Sequence, residues 1–190
     1  MRIIAGKHRG RTLRIGPAQA LRPSSDRLRQ AAFNILDHGS HGAPYRDEPV
    51  IDLFAGTGAW GFEALSRGAA FASFIDHDPG ALLGIRQNAA ALGESTATNL
   101  LRLDATRLIA PPHAAPAPAA LAFLDPPYGS GLAVAALQGL CHHHWLQPGA
   151  LVVVEVARKE PMTPPKAYAI LDERVYGAGR AVFLTLKSED

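Results

Sequence analysis

Four consecutive residues, Asp125-Pro126-Pro127-Tyr128, follow an apolar run and combine a carboxylate, two prolines and an aromatic ring. Each proline fixes φ and lacks an N–H, so the backbone there offers acceptors only. Asp125 and the carbonyl of Pro126 can both accept from one planar –NH₂ group, while Tyr128 offers a face on which a base can stack. Such a set is suited to holding an exocyclic base amine and has no evident use in hydride transfer. The plain alternative is a proline-rich turn closing a strand.

A second stretch has chemistry of its own. Val50 to Gly61 runs from an apolar segment through Asp52, Phe54 and Ala55 into Gly56-Thr57-Gly58 and on to Gly61. This reads as a buried strand, a tight turn and a helix start whose unpaired N–H groups face a crevice. The pattern Gly-x-Gly-x-x-Gly is by itself a weak sign of a dinucleotide, and a close-packed βα turn would also produce it. An acid about 20 residues on should bind ribose hydroxyls, and Asp76 stands there. Asp78 is better explained as a helix cap. Asp104, with Ala105 beside it, ends another strand and could accept from an exocyclic amine such as that of adenine, although a structural loop Asp would look the same. Asp52 must face a group that tolerates negative charge. A sulfonium or an ammonium does so; a pyrophosphate does not.

Strands and helices in alternation must position these residues. Val50–Phe54, Phe71–Asp76, Leu100–Leu103, Leu121–Leu124 and Leu151–Val156 read as strands. Helices are expected over Ala59–Arg67, over Pro79–Leu92, which opens on a first-turn proline, and over Leu132–Leu140. Strands near Ile170–Tyr176 and Ala181–Leu186 flank Gly177-Ala178-Gly179, so the sheet should end in antiparallel pairing. The expected fold is α/β, a doubly wound and mostly parallel seven-stranded sheet with an antiparallel C-terminal hairpin. Its strand ends bring Asp52, Asp76, Asp104 and Asp125 to one edge. Ahead of it, Ile3-Ile4 and Thr12–Ile15 flank Gly6-Lys7-His8-Arg9-Gly10, a small hairpin whose tip could lie on phosphates. Ser24 or Ser25 should cap a helix in which Leu28, Ala31, Ala32, Ile35 and Leu36 share one face. One domain is expected over residues 1–190, with a basic extension at 1–21 and the catalytic body at 22–190.

Charge is unevenly spread. Residues 1–30 hold eight basic side chains, among them Arg2, Lys7, Arg9, Arg11, Arg22, Arg27 and Arg29, against Asp26 alone, for a net +7. The remaining 11 basic and 16 acidic residues give −5. A basic arm on an acidic body points to an anionic partner, most simply nucleic acid; a solvated, sticky terminus is the bland reading. No apolar run approaches a membrane span, and the basic N-terminus lacks the apolar stretch of a signal peptide. The lone Cys141 fits a reducing cytoplasm. His142-His143-His144 fan around a helix end rather than converge, so no metal is expected. Trp60 and Trp145 read as core or interface residues.

These residues resemble the S-adenosylmethionine-dependent methyltransferases of Rossmann-like class I fold that act on exocyclic amines. Within them the chain is similar to the RsmD type, bacterial guanine-N2 methyltransferases of small-subunit (16S) ribosomal RNA. The resemblance rests on Met1–Lys7 with Arg9-Gly10-Arg11, on Arg22–Arg27, on Asp52–Gly58, on Glu63–Ala69, on Asn88, on Asp125–Tyr128 and on Tyr176-Gly177. His8 departs from the aromatic common there, and Gln30 from an acid. The resemblance implies that the cofactor's methionine part lies near Asp52 and the Phe54–Gly58 turn, its ribose on Asp76 and its adenine amine on Asp104. S-adenosylhomocysteine would be the second product. It further implies catalysis by Asp125, Pro126, Pro127 and Tyr128, an rRNA or small-subunit partner, and a monomer in the cytoplasm with no metal. Three other readings share part of the pattern: an amine methyltransferase on DNA adenine or a protein amide, a nicotinamide-dependent oxidoreductase, and a catalytically silent RNA-binding module.

Overall fold

The computed structural model describes residues 1–14, 25–39 and 42–188. Arg22, Ile15 and the cap expected at Ser24 lie outside these. In chain order the elements are α1 (Ser25–His38), β1 (Pro49–Leu53), α2 (Ala59–Ser66), β2 (Phe71–Asp76), α3 (Pro79–Leu92), β3 (Thr98–Arg102), β4 (Ala119–Leu124), α4 (Leu132–His142), β5 (Leu146–Ala157), β6 (Tyr168–Tyr176) and β7 (Gly179–Leu186). Among the described residues the seven strands form one sheet in the order β3-β2-β1-β4-β5-β7-β6. The pairs among β1 to β5 are parallel, and β7 runs antiparallel to both β5 and β6. The order reverses at β1 and β4, so their C-terminal ends form the crevice where ligands bind in such sheets.

Side chains alternate across the sheet and divide it between two cores. Val50, Phe74, Phe123 and Val153 pack with α1, α2 and α3 on one face. Ile51, Leu53, Ile75, Leu124 and Val154 pack on the other with α4 and with Ala105, Leu108 and Ala115 from the β3–β4 connection. Trp60 of α2 stacks on Phe123, with ring centroids 5.0 Å apart, and lies 6.1 Å from Phe33 of α1. That stack fixes the helix that follows the glycine turn. Trp145 is fully buried, and its indole N–H donates to the carbonyl of Ile109.

Two local features were not legible as spacing. A single 3₁₀ turn at Ser95–Ala97 precedes β3, and three residues are too few to carry a period. β5 begins at Leu146, before its expected start, because the register shifts between Ala119 and Leu121 and leaves Gln147-Pro148-Gly149 as an irregularity inside the strand. Gly149 takes φ 77°, which suits glycine.

The N-terminal hairpin is present over residues 1–13. Arg2 bridges Thr12, and Ile3 and Leu13 donate to the carbonyls of Arg11 and Met1. It lies along α2 and α3. Glu63, fully buried in α2, accepts from the amides of Ile4 at 2.7 Å and Ala5 at 3.0 Å. Ser66 accepts from the amides of Lys7 and His8 through its carbonyl and hydroxyl oxygens. Glu94, just past α3, pairs with Lys7 at 2.6 Å and His8 at 2.5 Å. Arg29 of α1 is buried, donating to the carbonyl of Arg2 and to Asp26, with its Nε 3.9 Å from Glu63. The hairpin base, by contrast, touches the glycine turn: Met1 Sδ lies 3.5 Å from the Thr57 hydroxyl, and the Asn88 amide reaches the carbonyls of Arg14 and Thr57.

Candidate active site

The glycine turn is built on unusual backbone. Gly56 and Gly58 have φ 53° and 76°, and Phe54, between β1 and the turn, has φ 55°. A bulky side chain in that region is uncommon and costs local strain. The turn is tied back by Ala55 N–H to the Ile75 carbonyl and by Gly58 N–H to the Ala55 carbonyl. Gly58 caps α2 without a side chain, and Asp52 supplies what is missing by accepting from the third helical amide, Gly61, at 2.9 Å. Gly61 is required there, because a Cβ would come within 2.4 Å of the Phe74 ring.

Asp52 is buried, and its Oδ1 has no hydrogen-bond partner among the described residues. Burial pushes its carboxyl well above the ordinary carboxylate value. The Gly61 amide works against that shift, while the charges of Asp125 and Asp76 add to it. This pocket of clustered negative charge, with an acceptor left over, is a place for a cation.

Asp76 ends β2 with both oxygens engaged. Oδ2 accepts from Gly56 N–H at 2.8 Å and Oδ1 from Asp78 N–H at 2.9 Å, so the residue braces the turn from below. Each oxygen retains further acceptor capacity. Asp78 is the cap of α3, accepting from Gly80, as expected. Asp104 is exposed beyond β3. The hydroxyl and amide of Thr106 on its Oδ1 hold its carboxyl below the ordinary value. Ala105 is buried beside it.

Asp125 leaves β4 with its amide directed to the Leu53 carbonyl at 3.4 Å, which places it next to the end of β1. Pro126 is buried, Pro127 exposed, and Asp125 and Tyr128 are half-buried. The Tyr128 hydroxyl donates to Glu155, a buried carboxylate of β5, at 2.6 Å. One residue on, Gly129 N–H donates to Glu160 at 2.8 Å, and Ala157 N–H donates to the same oxygen. Burial alone would raise the Glu160 carboxyl, but the amides of Gly129, Ala157 and Gly131 outweigh it and hold it low. Gly179, at the start of β7, closes the arrangement: a Cβ there would stand 2.8 Å from the Tyr128 hydroxyl and 3.0 Å from Leu28.

The structure therefore brings Asp52, Phe54–Gly58, Asp76, Asp104, Ala105 and Asp125–Tyr128 to the C-terminal ends of the parallel strands. The hairpin tip is elsewhere. Lys7 and His8 bind Ser66, the last residue of α2, and Glu94, whereas α2 begins at the glycine turn. Arg2, Arg9, Arg11 and Arg27 are exposed, and the Arg11 guanidinium donates to the Ala91 carbonyl. Arg22 lies outside the described residues. Of the eight basic groups in the arm, Arg29 is a buried tie rather than part of a charged surface. Glu160 escaped sequence reasoning because nothing in an acid among Lys159 and Pro161 says which loop it will face. Glu155 falls inside the expected strand Leu151–Val156, but nothing in the sequence says that it faces Tyr128.

Comparison with known proteins agrees with this geometry. The family described as Conserved hypothetical protein 95 matches residues 1–185. Ribosomal RNA small subunit methyltransferase D of Haemophilus influenzae is 34% identical over 93% of this chain and 89% of its own length. The solved structure of yhhF from Escherichia coli has a TM-score of 0.82 at 31% identity, covering 100% of this chain and 99% of that one. An RNA methyltransferase from Salinibacter ruber, solved with S-adenosyl-L-homocysteine, shares the fold at 18% identity and a TM-score of 0.58, over 91% of this chain and 96% of its own. A match that runs through the hairpin, the glycine turn and the Asp-Pro-Pro-Tyr strand end alike leaves one conclusion: the chain belongs to the Conserved hypothetical protein 95 family, the RsmD family, and is a methyltransferase.

Proposed function

We propose that this chain transfers a methyl group from S-adenosylmethionine to the exocyclic N2 of a guanine in small-subunit (16S) ribosomal RNA. The observation that carries the reading is the anchored turn after β4. Tyr128 is fixed by Glu155, and Gly129 by Glu160, so that Asp125 and the Pro126 carbonyl sit at the switch point of the sheet. The Haemophilus influenzae relative is named a small-subunit ribosomal RNA methyltransferase, which supports the choice of substrate.

The residues present suit the cofactor. The buried, unpartnered Oδ1 of Asp52 and the neighbouring Asp76 and Asp125 complement a molecule that carries a sulfonium and an ammonium. Asp52 and the Phe54–Gly58 turn would hold its methionine part, Asp76 its ribose, and Asp104 with Ala105 its adenine. Bound there, the cofactor supplies an electrophilic methyl group.

The chain's own residues do the rest. A guanine turned out of its stack lies on the Tyr128 ring. Asp125 and the Pro126 carbonyl accept the two N2 hydrogens, which holds the amine in place and favours a more pyramidal nitrogen with an available lone pair. Pro127 keeps the turn rigid. Positioning and electrostatics supply most of the acceleration. As the new N–C bond forms, N2 must lose a proton, and Asp125 is the acceptor at hand. A methylated aryl ammonium is strongly acidic, so a weak base is enough. Arg2, Arg9, Arg11, Arg22 and Arg27 provide charge for RNA phosphates, whereas the Lys7 ammonium is paired with Glu94 at 2.6 Å.

The test is methyl transfer from labelled S-adenosylmethionine to small subunits from cells lacking the enzyme, with nucleoside analysis of the product. N2-methylguanosine in 16S rRNA is the expected outcome, and Asp125→Ala should abolish it while leaving cofactor affinity within a few-fold. Label on DNA or protein instead would discard the substrate and keep the fold. A variant that lost cofactor affinity yet kept turnover would overturn the role of Asp125.

A further inference from the structure

The hairpin tip that carries much of the basic arm is docked at the end of α2 remote from the glycine turn, with Lys7 already neutralised by Glu94. Charge for the RNA next to the reacting base can therefore come from elements other than the hairpin. Four cations sit where β5, β6 and β7 reach the catalytic edge: Arg158, Lys159, Arg174 and Arg180. Arg174 is paired with Asp172 at 2.5 Å and Arg180 with Glu173 at 2.8 Å. Arg158 and Lys159 are exposed, and among the described residues neither pairs with a carboxylate.

Their backbone is fixed on three sides. Arg158 N–H donates to the Ala178 carbonyl in the β6–β7 turn at 2.8 Å. Glu160 N–H closes onto the Ala157 carbonyl, and Arg180 donates to the Glu160 carbonyl at 2.6 Å. The Glu160 side chain spans to Gly129, the residue after Tyr128. The turn bearing the two free cations is thus one hydrogen bond from the turn that bears the proposed base platform, on the side away from the cofactor residues of β1, β2 and β3.

We propose that Arg158 and Lys159 form a phosphate-binding lip of the active site, gripping the RNA backbone beside the nucleotide turned onto Tyr128. This rests on the reading of the chain as an RNA methyltransferase and adds a contact surface at the reacting base to the remote one on the hairpin. Extruding a nucleotide exposes its flanking phosphates, and a rigid pair of cations beside the platform holds the strand in that opened form. The two carry no sequence information; they set register.

The experiment is the salt dependence of kcat/KM for small subunits, comparing wild type with Arg158→Gln/Lys159→Gln. Each phosphate contact to single-stranded RNA contributes about 0.7 to the slope of log affinity against log salt. Losing two should flatten the slope by about 1.4, which makes the loss between 50 and 200 mM salt roughly sevenfold smaller than for wild type. KM should rise at low salt, with kcat and cofactor affinity little changed. Lys166→Gln serves as the control, because Lys166 is exposed at the opposite end of β6. A double variant with the wild-type slope, or a control that shifts the slope as much per charge, overturns the lip. A wild type that methylates no RNA overturns the functional reading, and the lip with it.

Discussion

Tyr128 can serve as a stacking platform only if its ring is held still, and a half-buried tyrosine in a proline turn has no neighbours in sequence to hold it. The 2.6 Å hydroxyl bond to the buried Glu155 does so, because a hydrogen bond shielded from water is electrostatically stronger than one exposed to it. Gly179 leaves the space this bond needs. Tyr128→Phe keeps the ring and loses the anchor, and kcat should fall by up to about tenfold, in line with a hydrogen bond worth ~0.5–1.5 kcal/mol. KM for cofactor should stay unchanged. Steady-state kinetics with both substrates varied checks this, and a fully active phenylalanine variant would show that the anchor is idle. Asp52 illustrates the other side of residue chemistry. Buried beside Asp76 and Asp125, it leans toward its neutral form without a cation, and a bound cation would draw it back.

At the scale of elements, α2 is the part on which the site depends. Eight residues long, it is capped from β1 by Asp52, packed against Phe74 through Gly61 and stacked by Trp60 on Phe123. Its outer side holds the hairpin through Glu63, which also accepts from Arg67 at 2.7 Å. Glu63→Ala strips two backbone amides and Arg67 of their acceptor at once and removes the buried negative charge 3.9 Å from the Arg29 guanidinium. Breaking a buried pair by removing one partner costs ~3–5 kcal/mol. At about 2–4 °C per kcal/mol for a chain of this size, Tm should fall by roughly 6–20 °C. Calorimetry measures it, and a loss below about 2 °C would mean that the hairpin is held by Ile3, Leu13 and its bonds to Ser66, Glu94 and Arg29 without need of Glu63.

Over the whole molecule, acid should act on parts in opposite directions. Burial tends to raise the Glu94 carboxyl, but the donors Lys7 and His8 outweigh it and hold it below its ordinary value of 4.5. A carboxyl depressed in the folded state stabilises above its unfolded value, and that contribution is lost as pH falls through the folded one. Asp52 is raised, so its protonation relieves the folded state as pH falls. Global unfolding therefore blends the two, whereas hydrogen exchange of the hairpin amides isolates Glu94. Protection of Lys7 and His8, corrected for intrinsic rates, should be constant above about pH 5 and decline below 4.5 while the strands stay protected. Hairpin protection that held down to pH 3 would remove Glu94 from that role. The surface likewise divides in two, a docked basic hairpin along α2 and α3 and a small basic lip at the catalytic edge.

The alternation of strand and helix, the glycine turn and the carboxylates at strand ends were legible because they are local patterns. In a parallel sheet the C-terminal strand ends share one edge whatever the packing in detail, so Asp52, Asp76, Asp104 and Asp125 had to meet there. The boundaries of β2 and α3 fell as their sequence signals indicated, since Pro79 opens the helix and Gly93 closes it. What the tertiary structure alone decided is which group each charge faces. Tyr128 and Glu155 are 27 positions apart, Ile4 and Glu63 are 59, and His8 and Glu94 are 86. A carboxylate's propensity and period are the same whether it faces water, an amide or a phenol. Its partner is chosen by the element packed opposite, and only the folded chain contains that choice.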